Sequence, residues 1–275
     1  MVHRIHPGLL RGPVHVLVVG CGGTGAAFAS GLPYLDETMR ALGHPGGLKV
    51  TVADGDIVSP TNRGRQPFND HHVGRNKAEV LVTGLNNYWS LAWRAVPHHI
   101  TARDSLDGFD IVVGCVDKRA ARAVLAALVR RTSSVRYWID AGNGPDWGQI
   151  ILGEPRERAG HLRLPMVDEL LPESVRPGPE DEGPSCSQLE ALTRQAPFTN
   201  HVMSDNMLFL LGQLFRRGEL QHHGLFVNLA EGTTAPLPVD PEEWKRMQAV
   251  PVPAVRGTTT RKSSRPRRRP QARAA

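Results

Sequence analysis

Residues Val14 to Gly25 constrain the fold more than any other stretch of the chain. Val14 to Val19 is an almost unbroken run of apolar, mostly β-branched side chains. That is the pattern of a strand buried on both faces of a parallel sheet. Gly20-Cys21-Gly22-Gly23-Thr24-Gly25 follows and fits G-x-G-x-x-G, and Ala26 to Leu32 is small and apolar, as a helix packed closely on a sheet requires. Strand, glycines and helix in that order predict a phosphate-binding turn. The glycines bend the chain sharply and bring bare N–H groups to an anion at the helix N-terminus. Gly20, Gly22, Gly23 and Gly25 are therefore nucleotide-binding candidates. The motif alone specifies a nucleotide without saying which, and a glycine-rich turn with no ligand is the alternative.

Downstream, Leu48 to Ala53 reads as the next strand, with Asp54 at its carboxyl end, where a ribose-binding acid stands in dinucleotide folds. Asp54 lies 29 residues past Gly25, against about 20 in the usual fingerprint, so a longer helix takes up the difference. The polar loop after it holds Asp56, Asn62, Arg63, Arg65 and Gln66. Val73 to Ala78 then opens an amphipathic helix to about Trp89, with Arg75 and Lys77 at its start. Cations there oppose the helix dipole but suit a bound polyphosphate; a solvated basic loop is the alternative. Phe109 to Val116 is another buried strand, with Asp117 at its carboxyl end and a helix over Arg119 to Arg131. Asp117 is placed to hold a metal bridging phosphates, or merely to cap the helix.

Arg136 to Ala141 is a further strand, leading by a hairpin into 148–152. From Glu154 to Pro184 the chain is proline-rich and charged, the composition of a long structureless loop, and it ends at Pro184-Ser185-Cys186-Ser187. A short helix from Gln188, a longer one over Thr199 to Arg217, late strands at Gly224 to Ala230 and Thr233 to Val239, and a last helical turn or two from Pro241 complete the reading. The expected fold is α/β: a Rossmann-like, mostly parallel sheet with helices on both faces and late antiparallel strands.

Charge divides the chain. Eight Lys and Arg residues and no acids follow Val255. Without those eight, 25 of the 33 basic residues face 27 acidic ones, so residues 1–255 form a near-neutral domain. Residues 256–275 read as a basic disordered tail that could contact nucleic acid, or a solvated end with no partner. No apolar run approaches the ~20 residues of a membrane span, and the N-terminus lacks a signal-peptide core. Cys21, Cys115 and Cys186 are widely spaced and form no C-x-x-C pair, which excludes a cysteine zinc knuckle and points to a reducing cytoplasm. The pairs His71-His72, His98-His99 and His222-His223 lack metal-site spacing with an acid and read as structural or surface residues.

The set GCGGTG, D-G-D-x-V-x-x-T-N-x-x-R-Q, V-G-x-x-K-A and a strand ending in Cys-Val-Asp117 resembles the ThiF/MoeB and ubiquitin-activating superfamily over about residues 14 to 230. A-G-N-G-P-D-W-G-Q-I is similar to that superfamily's E-S-G-x-x-G-x-x-G-x-V segment. Within it the chain is most similar to the ThiF-type family of the PRTRC cassette of bacterial plasmids and mobile elements. The resemblance implies a ThiF-type adenylation domain that uses ATP and Mg²⁺, with a crossover loop at about 154–186. Asp54 would be the ribose-binding acid, with Asp56 among the cofactor-binding residues. Asn62 and Arg65 would meet the ATP phosphates, Lys77 the α-phosphate side and Asp117 the Mg²⁺, with Gln66 also among the cofactor-binding residues. Cys186, in P-S-C-S, resembles the thioester cysteine of the crossover loop. The implied partners are a ubiquitin-like β-grasp protein, a conjugating-like protein and a second copy in a homodimer. The superfamily's zinc cysteines and its R-Y-x-R-Q helix are missing here; Arg4 or Arg11 are the candidates to replace the arginine of that helix.

The implied reaction is attack of a carrier protein's C-terminal carboxylate on the α-phosphate of ATP, with Arg65 and Lys77 neutralising charge and Cys186 taking the acyl group afterwards. Cys21 and Cys115 read as packing residues. Two other readings remain at this point: a nucleotide-binding scaffold without turnover whose basic tail touches DNA, and an NAD-dependent oxidoreductase, which the polar loop after Asp54 argues against.

Overall fold

The protein is represented by a computed structural model, in which residues 1–63, 66–176, 178 and 198–249 are described. Its centre is an eight-stranded sheet. In chain order the strands are β1 (His3–Arg4), β2 (Val14–Val19), β3 (Leu48–Ala53), β4 (Arg94–Val96), β5 (Ile111–Gly114), β6 (Tyr137–Asn143), β7 (Trp147–Gly153), β8 (Glu219–Leu220), β9 (His222–Asn228) and β10 (Thr233–Pro238). The sheet order is β10-β9-β7-β6-β5-β2-β3-β4, and β1 and β8 pair separately. The strands from β4 across to β6 are parallel, and β7, β9 and β10 are antiparallel additions.

This is the expected Rossmann-like α/β architecture. β2 is central because its side chains are apolar on both faces; Val14, Val16, Leu17, Val18 and Val19 are all buried. The helices are α1 (Gly23–Ala41), α2 (Lys77–Trp89), α3 (Arg119–Arg131), α4 (Val167–Leu170), α5 (Thr199–Arg217) and α6 (Pro241–Ala249). α1 runs two turns past the usual phosphate-binding helix, with Pro33 inside it, and so accounts for the long offset to Asp54. α1 packs against α5, whose Leu208 fills the space a Cβ on Gly31 would need. No helix among the described residues is long and apolar enough to cross a membrane.

Three expectations need correction. The helix predicted from Val73 begins at Lys77 instead. Asn76 caps it: its side chain accepts from Glu79 N at 3.1 Å and donates to the Asp54 carbonyl at 2.8 Å. Arg75 therefore lies outside the helix, in a segment bonded to residues 56–58. The stretch from Glu154 is not structureless before residue 177. Leu164, Met166, Val167 and Leu170 are buried, α4 forms, and a 3₁₀ turn follows at Pro172–Val175. Four apolar residues anchor a stretch whose prolines and charges dominate its composition. The loop after Asp54 likewise contains 3₁₀ turns at Pro60–Asn62 and Asp70–His72. Arg65, Cys186, the helix expected from Gln188 and the basic tail lie outside the described residues.

Candidate functional site

Strand order reverses between β2 and β5: from β2 the chain proceeds outward to β3 and β4, then returns to β5 and β6 on the other side. Ligands of open α/β sheets bind at such a switch point, outside the carboxyl ends of the strands. The glycine turn leaves β2 there, and residues 115–118 leave β5 beside it. The two are in backbone contact: Cys115 N donates to Val19 O at 2.9 Å, and a Cβ on Gly20 (φ +96°) would strike the Cys115 carbonyl.

The glycines of the turn do different work. Gly25 packs against the Gly20 carbonyl, and a Cβ on Gly23 would overlap the Asn200 amide. Gly22 alone among them faces open space, and it is the backbone position free to meet a ligand at the start of α1. Asn200, from the first turn of α5, accepts from Thr24 Oγ1 at 3.0 Å and from Asn143 Nδ2 at 3.2 Å. Thr199 Oγ1 donates to the Pro145 carbonyl at 2.9 Å. Asn143, Asn200 and Thr24 thus brace the turn from the side of β6. Sequence reading missed this set, because nothing local marks a contact spanning 176 positions.

Asp54, at the end of β3, is buried. One carboxylate oxygen accepts from Cys21 N, inside the glycine turn, and the other from Asp56 N at 2.7 Å. Lys77 is buried at the first position of α2 and pairs with Asp56 Oδ2 at 2.9 Å. That pairing offsets the unfavourable dipole position of the ammonium. Asp54, Asp56 and Lys77 are therefore one hydrogen-bonded unit against the glycine turn. His99 joins it, 3.5 Å from Asp56 Oδ1, and the ligand atoms of Asp54, Asp56 and His99 lie within 4.8 Å of one another. The histidine pairs gave no hint of this, because residues 97–110 bring His99 back from β4.

Asn62 and Gln66 sit together in the same loop. Asn62 is buried and its side-chain oxygen accepts from Ser59 N at 2.8 Å, while Gln66 N donates to the Asn62 carbonyl. Among the described residues Gln66 Oε1 is buried without a hydrogen-bond partner, an orphaned acceptor of the kind a bound donor would satisfy. Asp117, three residues past β5, is exposed. A Mg²⁺ carried on nucleotide phosphates needs only one or two protein carboxylates, so Asp117 fits that role from the β5 side. The Asp54–Asp56–His99 group already has the Lys77 cation. Burial pushes the thiols of both Cys21 and Cys115 well up, with Asp54 adding to the effect at Cys21 and Asp140 at Cys115. Both stay protonated and inert, as packing residues do.

Glycine turn, acid–lysine unit and exposed aspartate thus stand at the switch point of an α/β domain, the place where such sheets bind their ligands. Residues 12–143 match the model of the ThiF family, the stretch that carries all of these groups except Asn200. In fold, the protein is similar to the crystal structure of selenomethionine PaaA (13% identity, TM-score 0.55, 84% of this chain and 65% of that one). It is also similar to Escherichia coli MccB, both in its crystal structure with ATP (18% identity, TM-score 0.53, covering 84% and 65%) and in a crystal structure of MccB (16%, 0.55, covering 86% and 65%). The chain thus spans about 65% of the length of these structures. No curated protein sequence matches it.

Proposed function

We propose that this protein adenylates a carboxylate with ATP, and that the carboxylate is the C-terminus of a ubiquitin-like β-grasp carrier. The observation that carries the reading is the convergence of the open Gly22 backbone, the Asp54–Asp56–Lys77 unit and Asp117 on the carboxyl ends of β2, β3 and β5. The crystal structure of MccB with ATP supports ATP as the nucleotide.

In the proposed step a carboxylate oxygen bonds to the α-phosphorus, the bond from that phosphorus to the bridging oxygen breaks, and pyrophosphate leaves with the electron pair. The carboxylate is already ionised near neutral pH, so no general base is needed. Both reactants are anions, and catalysis is positioning and charge neutralisation. Lys77, with Arg65, would offset charge near the α-phosphate. Backbone amides from Gly22 onward would hold phosphate oxygens. Mg²⁺ at Asp117 would supply further neutralisation of the polyphosphate. Asp56 and the ammonium already form a pair, so nucleotide entry exchanges one anionic partner of Lys77 for another. Cys186 is the proposed acceptor of the acyl group in a second step, releasing AMP. A conjugating-like protein downstream, a homodimer, and membership of the PRTRC cassette complete the proposal.

Exchange of labelled pyrophosphate into ATP, dependent on a glycine-terminated β-grasp carrier, is the test. Carrier-dependent exchange with a thiol-labile adduct lost in Cys186→Ala is expected. Binding of ATP with no exchange for any such carrier would overturn the catalytic part and leave a nucleotide-binding scaffold. The concentration of eight basic residues after Val255 favours that second reading with DNA as partner. It predicts salt-sensitive DNA binding that disappears on deleting residues 256–275.

A further inference from the structure

Arg122, in the first turn of α3, is buried although it carries a full charge. Its Nε donates to Asp140 Oδ1 at 2.8 Å, and Asp140 is wholly buried on β6. Nη2 donates to the Val116 carbonyl at 2.9 Å and to the Ala141 carbonyl at 3.4 Å, and Nη1 to the Ser174 carbonyl at 3.1 Å. One guanidinium therefore joins four segments: α3, β6, the loop after β5, and the 3₁₀ turn at Pro172–Val175. Only a planar fork of five donors can serve acceptors in so many directions; an ammonium is a point charge with three.

A buried ion pair is weak evidence for stability, since desolvation offsets its attraction. This one also leaves polar groups unsatisfied: among the described residues, Asp140 Oδ2, Trp138 Nε1 and Ser174 Oγ are buried without partners. The first two both crowd Gly114, the last residue of β5. An apolar pair would fill this space without charges to desolvate, but it would take from the Val116 and Ser174 carbonyls the donor that Arg122 supplies. What the arginine provides, and an apolar pair could not, is a hold on the backbone next to Asp117. The Asp117 side chain itself is exposed at the crevice, so its placement depends on the carbonyl of Val116 beside it.

We infer that Arg122 is a positioning residue, which acts through the Val116 carbonyl to fix the loop that presents Asp117, with Asp140 as its counter-charge and the Ser174 turn as its second anchor. The inference rests on the proposed role of Asp117 toward Mg²⁺ and ATP, and it makes Asp117 dependent on a residue that never touches the nucleotide. Partners that orient a ligand from behind typically change metal affinity by about 10–100-fold when replaced.

The test uses the full-length chain and Arg122→Lys, with Asp140→Asn as a second variant should the first fail to fold. Hydrogen exchange of the nucleotide-free protein is measured first. The inference expects amides of 115–118 and 174–176 to exchange faster in the variant while those of β2 and β3 stay unchanged. Next, ATP binding is titrated calorimetrically against Mg²⁺ alone. The half-saturating Mg²⁺ concentration is expected to rise roughly ten-fold or more, with ATP binding in the absence of Mg²⁺ little altered. Half-saturation does not depend on the folded fraction, so a purely structural role would lower the amount of binding and leave that concentration in place. Uniformly faster exchange across the sheet, or an unmoved Mg²⁺ midpoint, would overturn the inference. If the parent protein binds no MgATP at all, the functional proposal fails, and the exchange pattern still decides whether Arg122 holds this loop.

Discussion

The two halves of the sheet are built on opposite principles. In the parallel half, β4 to β6, polar groups gather at the strand ends and stay available: Asp117 is exposed, Gln66 Oε1 has no partner, and Lys77 holds a half-exposed aspartate. Where the N-terminal segment meets the start of β6 and the antiparallel strands, polar groups are sealed inside. His3 Nε2 and the Tyr137 hydroxyl share a hydrogen bond of 2.8 Å, and the same hydroxyl accepts from His6 N. Glu154 lies 3.6 Å from His3 Nδ1 and accepts from Arg158 Nε at 3.1 Å and from Leu164 N at 3.0 Å. Behind them His223 Nδ1 meets the Leu152 carbonyl, and its ring packs edge-on to Trp244. One half keeps its polar groups for a ligand; the other uses them to fasten the N-terminal segment. Substitutions of the exposed groups at the strand ends should therefore damage binding without stability, and substitutions of the sealed groups stability without binding.

The largest effect should come from Asp117→Ala. Pyrophosphate exchange is expected to fall by about 100-fold or more, with Tm unchanged because the side chain is exposed; a large drop in Tm would break the contrast. The glycine turn offers a sharper pair. Gly23→Ala should cost about 1–3 kcal/mol, because its methyl would overlap Asn200. Gly22→Ala should leave the unfolding midpoint in urea nearly unmoved, since its surroundings are open, while weakening ATP binding.

Acid should act on the antiparallel half. Burial depresses His3 and His223 to about 4, from an ordinary value of 6.5. The unfolded chain thus takes up protons that the folded one refuses, so stability from these groups is complete above pH 6.5 and is lost as pH falls toward 4. The loss from each is on the order of 2–3 kcal/mol at the bottom of that window. Asp140 opposes them: burial, partly offset by Arg122, raises it to about 6, so the fold is relieved of a charged carboxylate as pH drops below 6. Burial also raises Glu154, which acts in the same sense as Asp140. His223→Gln should therefore lose less Tm than the parent between pH 7 and 4.5, and an equal loss would show that the ring is not the titrating group. The smallest effect on the fold belongs to removing residues 256–275, which should leave Tm where it is and change only salt-dependent affinity for DNA.

Legibility followed the strength of local pattern. The glycine turn, α3 and α5 read directly from residue spacing, because each is a long periodic run with clear ends. Three-residue β4, with the exposed Arg94 in it, and two-residue β1 carry no period to read. At the site, Asp54, Lys77 and Asp117 follow from their places after strands and at a helix start. The Asn143–Asn200–Thr24 brace, His99 beside Asp56, and the Arg122 fork depend on contacts between distant segments, and single-sequence pattern holds no trace of them.

The borders of the sheet have a consequence for how this protein meets other chains. One border is β4, three residues long, and the other is β10, where Pro236 and Pro238 interrupt the row of amide donors along a largely exposed strand. Proline and brevity are how natural sheets refuse an incoming strand. Extension of this sheet into a neighbour, whether for assembly or by accident at high concentration, is disfavoured at both margins.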